Sequence, residues 1–185
     1  MRSAVVIIAY SFPAIAASLF SIPALAEDLP KILEIRAGAF LHDPKSPEKG
    51  SIDGNFEFLA PRVPIGLNKI YEILIPRPHI GATLNNANKT SNAYAGLTWN
   101  LNLTNSVFIE ATFGGSANNG KTGHTVVPGH NAMGCTTSFR ESASFGYRIS
   151  SAFSIMGTIE HMSNAGLCDR NRGLTNGGIR LGYSF

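Results

Sequence analysis

The chain has 185 residues, which is enough for a single domain. It is 44% hydrophobic but only 15% charged, whereas a soluble domain usually carries about a quarter charged residues. The formal net charge is +3, and it falls to +2 if Arg2 is removed with an N-terminal leader. This charge is too small to indicate nucleic-acid binding, so we expect no nucleic-acid partner.

Residues 1–26 have the pattern of a secretory signal peptide. Arg2 precedes a long apolar stretch that ends on the small residues of Ala24-Leu25-Ala26. An N-terminal membrane anchor is the alternative, but Pro13, Pro23 and the Ala-Leu-Ala ending favour a cleaved signal. After residue 26 no apolar run approaches the roughly 18 residues of a spanning helix. We therefore expect an exported domain over residues 27–185.

Eight segments of this domain alternate apolar and polar residues with the period of two that is typical of a strand with one apolar face. The clearest segment is 93–103, in which Trp99 shares one face with four aliphatic residues. The predicted strands are 31–41, 54–60, 79–85, 93–103, 106–115, 136–149, 151–164 and 175–185.

The connections between these strands predict a membrane barrel. They are long after the first, third, fifth and seventh strands and short after the fourth and sixth, and only the irregular segment 61–78 departs from the alternation. Short turns on one side and long loops on the other are typical of outer-membrane barrels. We therefore predict an all-β fold, an eight-stranded antiparallel transmembrane β-barrel, with an interior filled by side chains and no pore. A soluble β-sandwich is the alternative.

A histidine and a serine end the apolar row of the seventh predicted strand. His161 and Ser163 are two positions apart, so they project from the same face. An imidazole beside a hydroxyl is what a serine needs to act as a nucleophile. The long loop that follows places the pair near the outer-leaflet interface, facing lipid. Two unrelated polar residues at a strand end are the alternative interpretation.

The same region resembles the PagL-type lipid A 3-O-deacylases, which are eight-stranded outer-membrane esterases. The stretches that carry the resemblance are His161-Met162-Ser163-Asn164-Ala165-Gly166, Asn171-x-Gly173-Leu174, the strand that ends on Phe185, Arg77-Pro78-His79-Ile80-Gly81-Ala82 and Phe139-Arg140-Glu141. The resemblance implies that His161 is the general base and Ser163 the nucleophile. It also implies that backbone groups from Asn164 to Gly166, together with Asn171, stabilise the oxyanion. It implies no metal or organic cofactor.

The chain departs from the family at one expected catalytic position. Where the family has a Glu that orients the His, this chain has Thr175, which shares the outward row of the last strand. A hydroxyl stabilises an imidazolium less well than a carboxylate does.

Three carboxylates are considered as a substitute for the missing acid. Glu160 is predicted to point inward toward Arg180, and Asp169 lies in a loop that would have to fold back. Glu141 has the outward parity of the sixth strand. With a turn centred on Ser150 it would lie opposite Ile159 and diagonal to His161, about 7–8 Å away. The alternative for Glu141 is a bulge that turns it inward.

Two cysteines in an exported chain indicate a disulfide, and Cys135 and Cys168 both lie on the long-loop side of the barrel. Such a bond would hold the loop that carries Asn171. A metal site made by His124, His130 and Cys135 is the alternative, but these residues have no recognised ligand spacing, so we predict no metal.

The sequence therefore predicts an outer-membrane esterase whose substrate is an acyl ester of lipid A. Arg170 and Arg172 would meet the phosphates of this lipopolysaccharide in the outer leaflet, unless they only solvate a loop. The alternative function is a structural or adhesive barrel of the same family whose triad has decayed. A homodimer is left open because the sequence gives no oligomeric state.

Overall fold

The computed structural model of the protein describes residues 33–63, 71 and 73–185, and in this part eight antiparallel strands close into a barrel in chain order. The strands are β1 Glu34–Leu41, β2 Ile52–Leu59, β3 Arg77–Asn85, β4 Asn92–Asn102, β5 Val107–Asn118, β6 Thr137–Arg148, β7 Phe153–Ser163 and β8 Leu174–Ser184. The predicted fold class is confirmed. The predicted signal peptide, residues 1–26, lies outside the described residues.

Closure comes from the pairing of the first strand with the last. β1 pairs with β8 from Glu34 opposite Ser184 to Leu41 opposite Gly177, so each strand has two hydrogen-bonded neighbours. A closed sheet leaves no edge of unpaired backbone groups, which lipid could not satisfy. No helix in the described ranges is long and apolar enough to cross a membrane.

Each observed strand overlaps its predicted segment, and β5 ends three residues later than expected. The Gly-rich stretch that begins at Ser116 was expected to be a loop, but the strand continues to Asn118. Glycine is needed inside this pair, because a Cβ on Gly96 would lie 2.5 Å from the Phe113 carbonyl oxygen, and one on Gly114 would collide with the Ala95 carbonyl. Gly96 and Gly114 therefore allow β4 and β5 to approach closely, and glycine does not mark the end of β5 here.

The connections lie at two distinct ends of the barrel. We call the end with connections 42–51, 86–91, 119–136 and 164–173 the loop end. The turn end carries 103–106, 149–152 and the connection 60–76 after β2, the same departure from the alternation that the sequence predicts. Odd and even residues of each strand face opposite sides of the barrel wall.

The outward face is apolar and exposed. Phe145 and Ile80 each retain 60% of their accessible surface, and Ile179 retains 58%. A surface this apolar on all sides is unsuited to water and suits a hydrocarbon environment.

The interior is filled by charged side chains that pair with one another. Arg36 makes two hydrogen bonds to Glu110, of 2.8 and 2.7 Å, from its two terminal nitrogens. Glu160 points inward as predicted, but its nearest arginine is Arg140, at 2.6 Å, whereas Arg180 is 3.8 Å away. These arginines are at most 1% exposed, so the charges are removed from solvent and depend on their partners.

Candidate active site

The lipid-facing surface of the described strands carries very few polar groups, and they lie together. Apart from Trp and Tyr, the polar side chains on the outward rows of these strands are Thr137, Glu141, His161, Ser163 and Thr175. All five lie toward the loop end, on three adjacent strands, β6, β7 and β8. Polar groups on a surface that faces lipid are costly, so their concentration at one place marks a candidate site.

His161 occupies the middle of a row that crosses three strands. It is directly opposite Glu141 on β6 and directly opposite Thr175 on β8. Its Nδ1 is hydrogen-bonded to Thr175 Oγ1 at 2.7 Å. If Nδ1 carries the proton and donates it to the threonine oxygen, Nε2 is unprotonated and can act as a base.

Ser163 lies two residues beyond His161 on the same face and is half-buried. Across the sheet it is opposite Phe139, whose ring stacks on that of Phe113 with centroids 6.1 Å apart. Within the described residues no hydrogen bond joins Ser163 Oγ to His161. Such bonds often tighten only when substrate is bound, so the shared face is the informative observation.

The position of Glu141 corrects the predicted register between β6 and β7. The expectation that Glu141 lies opposite Ile159 is wrong, because Ile159 pairs with Ala143 and Glu141 pairs with His161 itself. The turn is centred one residue later than expected, and Ser150 Oγ accepts the Phe153 amide at 3.1 Å within it. The alternative of an inward bulge is also wrong, since Glu141 is exposed on the outward row.

The two other acidic candidates lie elsewhere. Asp169 is exposed in the loop after β7 and pairs with His124 at 3.4 Å. Glu160 is buried in the interior, where Arg140 and Asn176 donate to it. Among the three acids that the sequence suggested, Glu141 is therefore the one next to His161.

The predicted oxyanion residues are brought together, but two of their amides already have acceptors. The Asn164 amide donates to Asn171 Oδ1 at 3.0 Å, and the Gly166 amide donates to Asn164 Oδ1 at 2.9 Å. In the described part of the chain, the Ala165 amide and Asn171 Nδ2 have no acceptor. These two donors are the available ones near Ser163.

Asn164 has a structural role that the sequence did not reveal. Its side chain is buried, and Nδ2 donates to the Met133 carbonyl at 2.8 Å and to the Arg170 carbonyl at 2.6 Å. Asn164 therefore ties the loop after β7 to the loop after β5. The backbone at Ala165 that follows it is left-handed, with φ of 53°.

Gly173 packs against the ring of His161. A Cβ at this position would lie 3.1 Å from His161 Cε1, and the residue has a φ of 70°. Both the contact and the backbone conformation favour glycine. In the sequence Gly173 is part of a family motif, but its isolated position before β8 gave no sign that it lies against the imidazole.

A disulfide and a buried amide hold the loop that carries Gly173. Cys135 and Cys168 are bonded, with Cα atoms 6.1 Å apart, which confirms the predicted disulfide between the loops after β5 and β7. Asn131 Nδ2 donates to Asp43 Oδ2 at 2.6 Å and reaches the Gly173 carbonyl at 3.4 Å. The backing of His161 thus depends on loops from distant parts of the sequence.

A buried carboxylate joins three of these loops, and we call its surroundings the loop network, made of His42, Glu48, Asp53, Thr90 and Asn131. Glu48 accepts from the ring of His42 and from the amides of Thr90 and Asn131, at 2.8 to 3.0 Å. Burial opposes charge on His42, but Asp53 and Glu48 outweigh it and raise the pKa of His42 to about 9. Burial is likewise outweighed at Glu48, where His42 and the two amides lower the pKa to about 2.

The remaining polar candidates stay apart from the row. Arg170 and Arg172 are exposed on the loop after β7, and Arg172 Nη2 donates to the Lys45 carbonyl at 3.0 Å. His130 Nδ1 is 3.6 Å from Glu48 rather than near His124 or Cys135. Within the described residues no three His, Cys, Asp or Glu side chains are grouped to hold a metal ion.

Below the row, toward the turn end, the lipid-facing surface carries an apolar groove. It has a volume of about 740 Å³. Small residues make it concave, since Ala111, Ala143 and Gly157 line it between Trp99 and Ile159. Ile159 is the next outward residue below His161 on β7, so the groove begins beside the polar row.

Comparison with known protein families identifies the family of this chain. Residues 65–184, more than half of the chain, match the family model described as lipid A 3-O-deacylase (PagL). The chain belongs to the PagL family. No curated protein sequence matches it significantly.

Solved structures share the barrel at low sequence identity. The crystal structure of the outer-membrane enzyme PagL is 15% identical with a TM-score of 0.58, and the match covers 81% of this chain and 98% of that one. The N-terminal β-barrel domain of Pseudomonas aeruginosa OprF is 11% identical with a TM-score of 0.55, covering 84% and 98%. A de novo designed transmembrane β-barrel is 13% identical with a TM-score of 0.55, covering 86% and 99%. These matches show a common fold.

Proposed function

We propose that this chain is an outer-membrane esterase that removes the 3-O-linked acyl chain of lipid A, with Ser163 as the nucleophile and His161 as the base. The observation that carries the proposal is the concentration of the outward polar side chains around this pair on a lipid-facing surface. Membership of the PagL family supplies the substrate class and the ester.

The proposed reaction uses two side chains on the same outward face of β7. His161 Nε2 takes the proton of Ser163 Oγ as that oxygen attacks the ester carbonyl carbon, and the tetrahedral intermediate collapses to an acyl-serine. The imidazolium returns the proton to the departing sugar oxygen. Water, deprotonated by His161, then attacks the acyl-serine and releases the fatty acid, which restores Ser163. Thr175 orients the ring through its bond to Nδ1.

Two donors are proposed for the oxyanion. The Ala165 amide follows Ser163 by two residues, and Asn171 has its Oδ1 committed to the Asn164 amide, which leaves Nδ2 as the donor. Removing one preorganised donor of this kind typically costs 10²–10³-fold in kcat, so Asn171→Ala should reduce the rate on that scale.

The surroundings of the site suit a lipid with an anionic headgroup. In the proposed orientation the loop end faces the cell exterior after export by the signal at 1–26, so the row lies at the height of the outer leaflet. The apolar groove below the row would take an acyl chain. Arg170 and Arg172, exposed above it, would meet the phosphates.

Thr175 supports a second candidate, a folded but non-catalytic barrel. The base then lacks the carboxylate partner that the family resemblance implies. The decisive measurement is the mass of lipid A from cells that express the wild-type chain, Ser163→Ala or the control Ser151→Ala, whose serine lies in the turn between β6 and β7.

If the chain is an esterase, wild type and Ser151→Ala should each remove one hydroxyacyl chain from lipid A, and Ser163→Ala should remove none. Loss of the serine nucleophile should lower activity by at least ~10⁴-fold. Heat-modifiable migration in gels checks that each variant is folded. Unchanged lipid A in cells that contain folded wild type would support the non-catalytic barrel instead.

A further inference from the structure

Glu141 is an unusual residue for its position. The outward rows of the described strands contain one carboxylate, and it is Glu141. Its neighbours on the outward row of β6 are Phe139 and Ala143. A charged side chain on the lipid face of a barrel is destabilising, and the cost grows with depth in the membrane. A favourable partner is therefore expected beside it.

The residue directly opposite Glu141 is His161, although no ion pair within 4.0 Å joins their side chains among the described residues. The two residues are directly opposite across the β6–β7 pair, where Cβ atoms are typically 4.5–5.5 Å apart. A glutamate side chain can bring its charge closer than this. On the other side of His161, Thr175 holds Nδ1 at 2.7 Å. His161 thus lies between a carboxylate and a hydroxyl, which can play different parts.

The proposed reaction needs both parts. When His161 takes the serine proton it becomes an imidazolium, which a nearby negative charge stabilises more strongly near lipid than in water. Thr175 can orient the ring but is neutral.

We propose that Glu141 is a positioning residue that stabilises the imidazolium of His161 across the β6–β7 pair, while Thr175 fixes the orientation of the ring. This inference rests on the proposed esterase function. A single acid would otherwise both orient the ring and stabilise its charge. Here Thr175 on β8 would orient the ring, and Glu141 on β6 would stabilise its charge. Because the two tasks belong to different residues, they can be separated by mutation.

The other groups that face His161 do not supply this charge. β8 contributes Thr175, the loop after β7 contributes Gly173, and β7 itself contributes Ser163. Asp169 is engaged with His124, and Glu160 points to the opposite side of the barrel wall. Among the described residues on this face, Glu141 is the titratable group next to the ring.

The first test compares Glu141→Gln, Glu141→Asp and the control Asp169→Asn, an exposed loop carboxylate that pairs with His124. A nearby opposite charge favours the charged form of an imidazole, which is the form that develops as Ser163 loses its proton. Glu141→Gln should therefore lose at least ~10-fold in kcat with little change in KM.

Glu141→Asp keeps the charge and should retain most of the rate, and Asp169→Asn should behave like wild type. The Glu141→Asp variant also serves as the second measurement if Glu141→Gln fails to fold, because a shorter carboxylate should leave a measurable kcat. Full activity of folded Glu141→Gln overturns the inference. So does a rise in KM alone with an unchanged kcat, which would mark a residue that contacts substrate.

The second test places a carboxylate on the other side of the ring. Thr175→Glu should raise kcat. In that background Glu141→Gln should change kcat by less than about twofold, which is the size of deviation usually seen between sites that do not interact. Equal losses in both backgrounds would indicate a merely structural role for Glu141 and overturn the inference. If wild type itself leaves lipid A unchanged, the proposed function fails, and this inference fails with it. If wild type is active and Glu141→Gln is fully active too, this inference is wrong but the proposed function stands.

Discussion

The inward and outward faces of the barrel wall use polar residues in opposite ways. Inside, charged side chains are numerous, buried and bonded to one another, as Arg36 is to Glu34, Glu57 and Glu110. Outside, the described strands carry five polar side chains other than Trp and Tyr, all in one place, and the hydrogen bond between two of these side chains joins His161 to Thr175. Interior charges need partners for the fold to form, whereas outward polar groups add nothing that a hydrocarbon side chain would not supply better. The comparison therefore separates residues that stabilise the fold from residues that we propose for the chemistry.

An interior substitution should give the largest loss of stability with the least loss of catalysis. Glu110 accepts both terminal nitrogens of Arg36 and lies in β5 toward the turn end, away from the site. Glu110→Gln removes the carboxylate that binds both terminal nitrogens of the buried Arg36, although Glu34 and Glu57 remain. Breaking a buried pair typically costs about 3–5 kcal/mol, so we expect a loss of up to that size. Urea unfolding of the protein in phospholipid vesicles should show this loss, while the activity per folded molecule stays near wild type.

Ser163→Ala is the matched opposite of that variant, since it should abolish deacylation and leave the urea midpoint unchanged. The distinction between the two faces is wrong if Glu110→Gln has the urea midpoint of wild type, or if Ser163→Ala is as unstable as Glu110→Gln. Either result would mean that burial and pairing do not separate the two sets of residues.

Much of this arrangement follows from the sequence because lipid outside and polar groups inside impose a strict period of two. The alternation predicts all eight strands and puts His161, Ser163 and Thr175 on one outward surface. It cannot determine how far adjacent strands slide, since a shift of two residues preserves the face of every side chain. For this reason Glu141 was expected opposite Ile159 and is instead opposite His161.

The alternation of apolar and polar residues also cannot predict contacts between loops or contacts across the closed interior. Arg140 rather than Arg180 is the close partner of Glu160, because interior partners depend on strand tilt and closure. The occupied amides of Asn164 and Gly166 depend on turns that no periodicity specifies. The backing of His161 by Gly173 likewise brings together residues from a loop and a strand.

Gly173 allows the outward face to be perturbed without changing a reacting group. Gly173→Ala puts a methyl group against the His161 ring, and a displacement of about 1 Å at a catalytic group can cost ~10²-fold. We expect a loss of that order in kcat with binding largely retained. Gly50→Ala is the control, since Gly50 also has a positive φ, of 91°, but a Cβ there meets no atom within 4 Å.

If the two glycine variants lose activity equally, backbone strain rather than the ring contact explains the effect. Unfolding in urea measures that strain directly and should be similar for both variants. The ratio of their kcat values then reports the local contacts of residue 173, which are the imidazole of His161 and the Met162 carbonyl oxygen, each 3.1 Å from a Cβ there.

The loop network should give the smallest effect, because the disulfide and Asn164 independently hold the loop after β5, which carries Asn131. The raised pKa of His42 means that its contribution is complete below about pH 6.5 and is lost as the pH rises through about 9. The lowered pKa of Glu48 means that its contribution is complete above about pH 4.5 and is lost as the pH falls through about 2. The network should therefore be most stable between about pH 4.5 and 6.5.

Hydrogen exchange of the amides of Thr90 and Asn131, corrected for the intrinsic rate, measures this network because both donate to Glu48. Protection should fall between pH 6 and 10 in wild type, and the barrel strands should keep theirs. In His42→Gln the protection should be low at pH 6 and nearly independent of pH, since the titrating group is absent. Constant protection up to pH 10 in wild type would show that Glu48 holds the loops without a charged His42. The backing of His161 would then depend on the buried carboxylate and its amide donors alone.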